Sequence, residues 1–132
     1  IINARSETIT TKYTFKKSFY NKRCLLPATG FFEWKTERNQ KIKYKIQLRD
    51  HNIFSFAGLF DSFTNEDGQK IPCVTIITTS ANSKIETVHN RMPVILKPGD
   101  EDTWLNPELK DTNQLKSMLK PYSAADTVLR KA

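Results

Sequence analysis

Residues 42–48 alternate apolar and polar side chains without a break, and this alternation is the strongest constraint on the fold. Because successive side chains of a strand point to opposite faces of a sheet, a period of two predicts a half-buried strand. Three further segments, at 23–34, 53–60 and 74–79, are rich in apolar, β-branched or aromatic residues and also predict strands. Residues 122–132 are expected to add an edge strand.

Short helical segments interrupt the strand pattern in the second half of the chain. Ser80 is a candidate N-cap for a helical piece at 81–88. Acidic residues at 100–102 favour the start of a helix that turns Trp104 and Leu105 inward. Strands with helices at intervals predict an α+β fold, with a mainly antiparallel sheet or barrel-like core and short flanking helices.

Size and charge narrow the class of protein. The chain has 132 residues, which suits a single domain. Its 21 Lys and Arg residues against 14 Asp and Glu residues give a formal net charge of +7, which favours an anionic partner, with nucleic acid as the first candidate. No apolar run approaches the ~18 residues that a membrane-spanning helix needs, so no membrane partner is expected.

The two cysteines, Cys24 and Cys73, do not belong to a CxxC pair. A disulfide framework and a cysteine-rich zinc site are therefore excluded, and the sequence suits a reduced compartment such as the cytosol. Both cysteines lie in or beside apolar strand segments, where inert packing is favoured over a nucleophilic role. We expect no metal and no other cofactor.

Three polar clusters depart from the core pattern, and the first is residues 3–8. It contains the amide of Asn3, the guanidinium of Arg5 and the carboxylate of Glu7, close enough in sequence to build a hydrogen-bonded site. The residue types alone favour the alternative, an exposed loop in which Ser6 has a capping role.

The second cluster is the segment 30–34, in which Glu33 stands among Phe31, Phe32 and Trp34. Charge is costly to bury unless it is paired, so a carboxyl group in an aromatic strand calls for an explanation. Burial beside the rings would favour the protonated carboxyl and suit Glu33 as a general acid or base. A position on the solvent face, paired with a lysine, is equally consistent with the pattern.

The third cluster, residues 89–93, combines His89 and Arg91 with Pro93 after the short helical piece. Histidine is the side chain best matched to proton transfer near neutral pH, so this loop is a candidate site. The alternative is a structural histidine whose hydrogen bonds are satisfied. His51 lies in a polar turn and is expected to be a solvated loop residue.

Together with other short motifs, these clusters form an ordered series along nearly the whole chain. In sequence order the motifs are NARSET at 3–8, RCLLPA at 23–28, GFFEW at 30–34, FAGLF at 56–60, TTSAN at 78–82, HNRMP at 89–93 and WL at 104–105. This ordered set resembles the SRAP family, the SOS response-associated peptidase domain proteins. The resemblance implies the SRAP fold and a single SRAP-type domain over residues 1–132 that lacks its N-terminal part.

The resemblance implies a sensor of abasic sites in single-stranded DNA that acts in the DNA damage or SOS response. In this family a cysteine at the N-terminus attacks the ring-opened sugar aldehyde, and its amine and thiol form a thiazolidine crosslink. Matched position by position, Asn3 would orient the nucleophile and hold the sugar. Glu33 would act as the acid/base in ring opening and crosslink reversal, and His89 would assist proton transfer and contact the neighbouring phosphate.

The same resemblance implies five DNA-contacting residues. Arg5 and Arg91 match arginines that contact the DNA backbone, Trp34 matches an aromatic residue near kinked DNA, and Thr78 and Thr79 match further contacts. Guanidinium groups bind phosphates in bidentate fashion, which agrees with the roles of the two arginines. The net charge of +7 supplies affinity that does not depend on base sequence and weakens with salt.

One departure from the family concerns the nucleophile, which precedes the NARSET motif in the family, whereas this chain starts at Ile1. We therefore expect the 132-residue chain to form no crosslink. Its standing as an enzyme is left open, since crosslinking, lyase-like or peptidase chemistry is implied only for the full-length family. The alternatives are a thiol peptidase, acting on its own N-terminus or on a partner, and a non-catalytic single-stranded DNA-binding module. The expected location is the cytoplasm, with the nucleoid in a bacterium.

Overall fold

The strands follow the apolar alternation of the sequence. The structure is a computed structural model that describes residues 2–132. Its strands are β1 (Ile2–Arg5), β2 (Arg23–Ala28), β3 (Phe31–Glu37), β4 (Gln40–Leu48), β5 (Phe54–Thr64), β6 (Lys70–Ser80), β7 (Arg91–Pro93) and β8 (Thr127–Lys131). The predicted strands within 23–34, 42–48, 53–60 and 74–79 and the C-terminal edge strand are thereby confirmed.

The helices are short. They are α1 (Tyr13–Asn21), α2 (Glu101–Leu105) and α3 (Thr112–Ser117), with single 3₁₀ turns at Ser6–Thr8, Ile85–Thr87, Pro98–Asp100 and Ala124–Asp126. Within residues 2–132, no helix is long and apolar enough to cross a membrane.

The strands form two sheets. The larger sheet has the order β1-β6-β5-β2. Strand β6 pairs with β5 as far as Ile76 and with β7 from Thr78 onward. Val94, directly after β7, joins the diverging strands, since its amide donates to the Ile77 carbonyl and its own carbonyl accepts from the Ala57 amide. The smaller sheet has the order β3-β4-β8.

This arrangement confirms the predicted α+β fold with a mainly antiparallel core. Of the strand pairs formed by residues 2–132, only β1 and β6 run parallel. The barrel-like closure considered for the core is wrong, because both sheets are open: β1 and β2 end the order of the large sheet, and β3 and β8 end that of the small one.

The large sheet has a hydrophobic core on each face. On one face, Leu59 and Ile77 of the sheet pack in a cluster with Phe19, Trp104 and Leu115 of the three helices. On the other face, the two sheets pack against each other through a second cluster, which includes Ile46, Leu48, Phe54, Phe56 and Met92. The second core holds the small sheet, and with it β3, against β7.

Two expectations about the helices need correction. Trp104 is fully buried as predicted, but Leu105 is 42% exposed. Neighbouring residues of a helix lie about 100° apart, so the five-residue helix α2 turns only one of the two toward the sheet. Ser80 is not the cap of the next turn: the buried Asn82 accepts from the amides of Lys84 and Ile85, and only residues 85–87 are helical.

Arg23, at the start of β2, ties α1 and α2 to the large sheet. Its guanidinium donates to five backbone carbonyls, those of Phe19, Tyr20, Trp104, Asn106 and Leu109. The residue is 9% exposed, and burial lowers the pKa of the guanidinium. This arginine therefore serves the fold, in contrast to the exposed arginine of β1.

Candidate active site

Strand β1 brings the first polar cluster onto the large sheet. It pairs in parallel with β6 in a register that sets Asn3 beside Ile76 and Arg5 beside Thr78. Ala4 between them is buried, so the side chains of Asn3 and Arg5 point to the opposite, exposed face. The loop favoured by residue type is therefore wrong for this segment: its first half is a strand, and only the residues after Arg5 turn.

Arg91 is the centre of the polar cluster on this face. Its Nη1 and Nη2 donate to the two carboxylate oxygens of Glu7 at 2.7 and 2.8 Å, and Nη2 also donates to the Thr78 hydroxyl at 3.1 Å. The Arg91 side chain is only 15% exposed, and its Nε has no hydrogen-bond partner within residues 2–132. The bidentate pairing fixes the plane of the guanidinium beside β6.

The charge of Glu7 follows from this pairing. The hydrogen bonds from Arg91 are the main cause that lowers the pKa of Glu7 from 4.5 to about 2, against an opposing effect of burial. The charge of nearby Arg5 acts in the same direction as Arg91. Glu7 is therefore ionised at neutral pH and neutralises part of the positive charge on this face.

Glu33 and His89 form a carboxylate–imidazole pair beside the arginine cluster. Oε1 of Glu33 lies 3.8 Å from Nδ1 of His89, and the two side chains are 24% and 43% exposed. Strand alternation puts Glu33 on the face of β3 opposite Phe32 and Trp34. The lysine partner considered for Glu33 is wrong, because its neighbour among residues 2–132 is the imidazole.

The backbone of Arg91 connects the two groups. The Arg91 amide nitrogen lies 3.2 Å from Nδ1 of His89 and can donate a hydrogen bond to it. Nδ1 of His89 also lies 3.1 Å from the Arg91 carbonyl oxygen. Nδ1 can accept from the amide when the imidazole is neutral and donate to the Arg91 carbonyl when it is protonated. Glu33 Oε1, at 3.8 Å, is a charge partner beyond hydrogen-bond distance. His89 can thus gain or lose a proton without turning its ring.

An open cleft of about 460 Å³ is lined by Glu33, Trp34, Thr36, Lys41 and His89. It offers a ligand a carboxylate, an imidazole, an ammonium group and an indole that is 47% exposed. This volume lies within the range of about 300–1,000 Å³ that is usual for small-molecule sites. A group the size of one nucleotide sugar fits such a cleft beside the acid–imidazole pair.

Three residues considered from the sequence lie away from this surface. Thr79 is 4% exposed and points to the face of β6 opposite Thr78, so the structure does not bring its side chain to Arg91. Burial raises the pKa of the Cys24 thiol, in agreement with the expected inert packing. His51 is exposed in the segment between β4 and β5, as expected for a loop residue.

Sequence reasoning missed two features of the site. Glu7 was recognised as part of a cluster but not as the partner of Arg91, because the two lie 84 residues apart and nothing local connects them. Lys41 enters the cleft because the β3–β4 hairpin sets it opposite Thr36. The position of Lys41 could have been predicted from the sequence, because the alternation in β4 and a turn at 38–39 determine which lysines lie on the same face as Trp34.

Fold and site together define a class, an α+β domain with a carboxylate–imidazole pair beside a surface that carries an exposed and a paired arginine. Within that class, the chain belongs to the SOS response associated peptidase (SRAP) family, whose family model matches residues 1–131. The resemblance drawn from the ordered motifs is thereby confirmed.

Curated relatives carry one common description. Abasic site processing protein YoqW of Bacillus subtilis (strain 168) is 44% identical over 127 residues, which cover 96% of this chain and 57% of the relative. Abasic site processing protein HMCES of Xenopus tropicalis is 34% identical over 125 residues, which cover 79% of this chain and 37% of the relative. The chain thus spans little more than half the length of the bacterial relative.

Solved structures show the same fold. A crystal structure of a protein from Bacteroides thetaiotaomicron matches with a TM-score of 0.91 at 38% identity, covering 96% of this chain and 56% of that chain. A protein from Bordetella bronchiseptica matches with a TM-score of 0.87 at 27% identity, covering 98% of this chain and 64% of that one. The SRAP fold implied by the motifs is therefore confirmed.

Proposed function

We propose that residues 1–132 form a single domain that recognises abasic sites in single-stranded DNA and carries the acid–base residues of a covalent capture reaction. The observation that carries the proposal is the pair Glu33–His89, with 3.8 Å between Oε1 and Nδ1, in a cleft shared with Trp34. The names of the relatives, which are abasic site processing proteins, agree with this substrate. Action on DNA would place the protein in the cytoplasm, with the nucleoid in a bacterium.

The proposed chemistry begins with opening of the abasic sugar. In this step Glu33 starts protonated and His89 neutral. Glu33 gives its proton to the ring oxygen, the bond from that oxygen to the anomeric carbon breaks, and the anomeric hydroxyl gives its proton to His89, which leaves a carboxylate and an imidazolium. The product is the open-chain aldehyde. An imidazole that has hydrogen-bond partners in both protonation states, as His89 has, suits this relay.

The nucleophile is expected from the N-terminal cysteine of the family and not from Cys24 or Cys73. Its amine adds to the aldehyde, water leaves, and the thiol adds to the resulting C=N carbon, which closes the thiazolidine. Asn3 is proposed to hold the sugar and orient this cysteine from the exposed face of β1. Once Glu33 has taken up a proton again, it could donate that proton to the crosslink and so allow the crosslink to reverse.

DNA contacts are proposed for the exposed face around the cleft. Arg5 has its guanidinium free of salt bridges to residues 2–132 and is proposed as the first phosphate ligand. Trp34 is proposed to stack on a base, and Thr78 to lie beside the backbone. Arg91 is held by Glu7, so a phosphate contact by Arg91 requires the carboxylate to share or release the guanidinium.

A gel assay with abasic single-stranded DNA tests the proposal. A longer form, of the relatives' length and with an N-terminal cysteine, is expected to give an adduct that survives denaturation. The 132 residues alone, whose first residue is Ile1 and not cysteine, are expected to give none. The 132-residue chain should still bind a strand with a stable abasic analogue more tightly than an intact strand. Absence of an adduct from the extended form would refute covalent capture. Equal affinity for both strands would favour the non-catalytic binding module.

Turnover of a peptide would favour the thiol peptidase. Such turnover by the extended form, abolished by His89→Ala, would identify peptide cleavage as the activity. Cys24 gives it little support, since burial raises the pKa of the Cys24 thiol and so disfavours the reactive thiolate.

A further inference from the structure

The small sheet has a second face, of which the proposed site uses only the end near Trp34 and Lys41. Alternation puts Phe31, Ile46 and Leu129 in the core between the sheets and turns their strand neighbours outward. We call this outward side of β3, β4 and β8 the outer face. Its rings and cations are Phe32, Trp34, Lys41, Lys43, Lys45 and Arg130.

The rings and cations of the outer face are interleaved. In the register of the sheet, Phe32 stands opposite Lys45 and Trp34 opposite Lys43. Nζ of Lys43 lies 4.1 Å from the centroid of the Phe32 ring and 5.8 Å from that of Trp34. Both rings are nearly half exposed, at 45% and 47%, so they keep free surface beside the ammonium group.

The charge of the outer face has one sign. The residues that alternation turns outward in β3, β4 and β8 include no Asp or Glu, and none of the four cations lies within 4.0 Å of a carboxylate of residues 2–132. Lys45 and Arg130 stand directly opposite each other, a pairing of like charges that opposes strand association. This pairing is unfavourable for the fold by itself, and an anionic ligand would offset the repulsion.

We propose that the outer face binds the single-stranded DNA that flanks the abasic nucleotide, so that the strand leaves the cleft over Trp34 and continues across β4 to Arg130. This inference rests on the proposed function. Trp34 and Lys41 belong to both the cleft and the outer face, which makes the two surfaces continuous. Lysines two residues apart on one face of a strand lie about 6.6 Å apart and form a row for phosphates.

The chemistry of the face favours a nucleic acid strand over an acidic protein segment. A positively charged groove with aromatic rings is the usual platform for single strands, because bases of any identity can stack on the rings. An acidic peptide would use the lysines and Arg130 but has no bases to stack on Phe32. Replacement of the ring therefore separates the two partners.

The test measures binding of the 132-residue chain to two single-stranded oligonucleotides, each with a stable abasic analogue at its centre. The short one has about 4 nucleotides and the long one about 15, which spans the site sizes usual for single-strand binding domains. Lys45→Ala/Arg130→Ala is expected to lower affinity for the long strand about tenfold and to reduce the slope of log K against log salt by about 1.4. Affinity for the short strand should stay within about twofold, because the short strand ends inside the cleft.

Substitution of the ring gives the second measurement. Phe32→Thr keeps a residue that favours strands and is expected to weaken binding of the long strand about fivefold or more, whereas Phe32→Tyr retains the stacking surface and the affinity. The matched control Lys97→Ala/Lys120→Ala removes two exposed lysines elsewhere and should have little effect. Thermal melting of each variant confirms folding.

The outcomes separate this inference from the proposed function. If the chain binds neither strand, the proposed function fails. If it binds both strands equally and the outer-face variants change nothing, the outer face is not a DNA surface and the site proposal stands. An effect of the control as large as that of Lys45→Ala/Arg130→Ala would also overturn the inference. Displacement of the long strand by polyglutamate, together with unchanged affinity of Phe32→Thr for that strand, would overturn it as well.

Discussion

Arg91 and Glu7, 84 residues apart in the chain, are joined by two hydrogen bonds of 2.7 and 2.8 Å. The pair connects the start of β7 to the 3₁₀ turn that follows β1. It therefore holds together the two segments that carry Asn3 and His89. An arginine that was expected to contact DNA has, in the structure, a structural partner of its own.

The first prediction concerns the pH dependence of this pair. The pKa of Glu7 is lowered from 4.5 to about 2, so the ionised carboxylate stabilises the fold above pH 4.5, and this contribution is lost as the pH falls from 4.5 toward 2. Glu7→Gln should lower the melting temperature at neutral pH by a few degrees at most, because the half-exposed carboxylate of Glu7 leaves the pair partly screened by solvent. The difference from the wild type should shrink below pH 4.5.

Melting curves across this pH range provide the measurement. Glu86→Gln is a matched control, since Glu86 is exposed and makes no salt bridge within residues 2–132. A difference between wild type and Glu7→Gln that does not change with pH would contradict the prediction.

The second prediction concerns Glu33 as the proton donor. In the form extended to the length of the relatives, Glu33→Gln should slow adduct formation by about 10²-fold, because the amide cannot supply the proton for ring opening. Binding of the strand should change little. The rate is measured by quenching the reaction with denaturant and separating the adduct on a gel.

Glu37→Gln is the control for this experiment. Glu37 lies on the same strand and the same face as Glu33, but outside the cleft. An equal loss of rate in both variants would mean that the charge of β3, and not proton transfer by Glu33, controls the reaction.

The third prediction concerns the buried arginine of β2. Arg23→Leu removes five hydrogen bonds to backbone carbonyls and should lower the free energy of unfolding by about 3 kcal/mol or more. Only the carbonyls of Tyr20 and Asn106 keep a second donor among those that the structure describes, Lys110 Nζ and the Leu109 amide. Arg49→Leu, at an exposed arginine with one hydrogen bond to a backbone carbonyl, should change it by no more than about 0.5 kcal/mol. Urea unfolding followed by circular dichroism measures the free energy of unfolding of both variants. Similar losses in the two variants would contradict a role of Arg23 in holding α1 and α2 against the large sheet.

The fourth prediction concerns the close approach of strands at Gly58. A Cβ added there would collide with Leu26 Cδ1 and would lie 3.1 Å from both Cys24 Sγ and the Thr75 carbonyl oxygen. Gly58→Ala should therefore lower stability by about 1–3 kcal/mol through overpacking. At Gly99, where nothing lies within 4 Å of the added carbon, the same substitution should be tolerated. Equal melting temperatures of the two variants would refute this packing argument.

Much of the fold follows from local patterns. The strand β4 and the buried side of each neighbouring strand could be predicted because a period of two assigns alternate residues to one face. Leu105 shows where such reasoning ends: a five-residue helix has too few turns for a pattern to define which side it buries.

The site was less accessible to local reasoning. The motifs identified Glu33, His89 and Arg91 as candidate site residues, but their residue types did not predict which side chains they contact. Thr78 and Thr79 are neighbours of the same type, yet one bonds Arg91 and the other is 4% exposed. Which threonine faces the cluster depends on the register of β6 with β1 and β7.

The amino-acid sequence is sufficient to specify the strand segments, the basic charge and the residues able to transfer protons, because these properties are local. The pairing of Glu7 with Arg91, the approach of Glu33 to His89 and the one-signed outer face arise only in the folded chain. Backbone hydrogen bonds between strands are the same for every residue, so the order of strands is decided by how the apolar faces pack. That packing brings together side chains that the sequence keeps far apart.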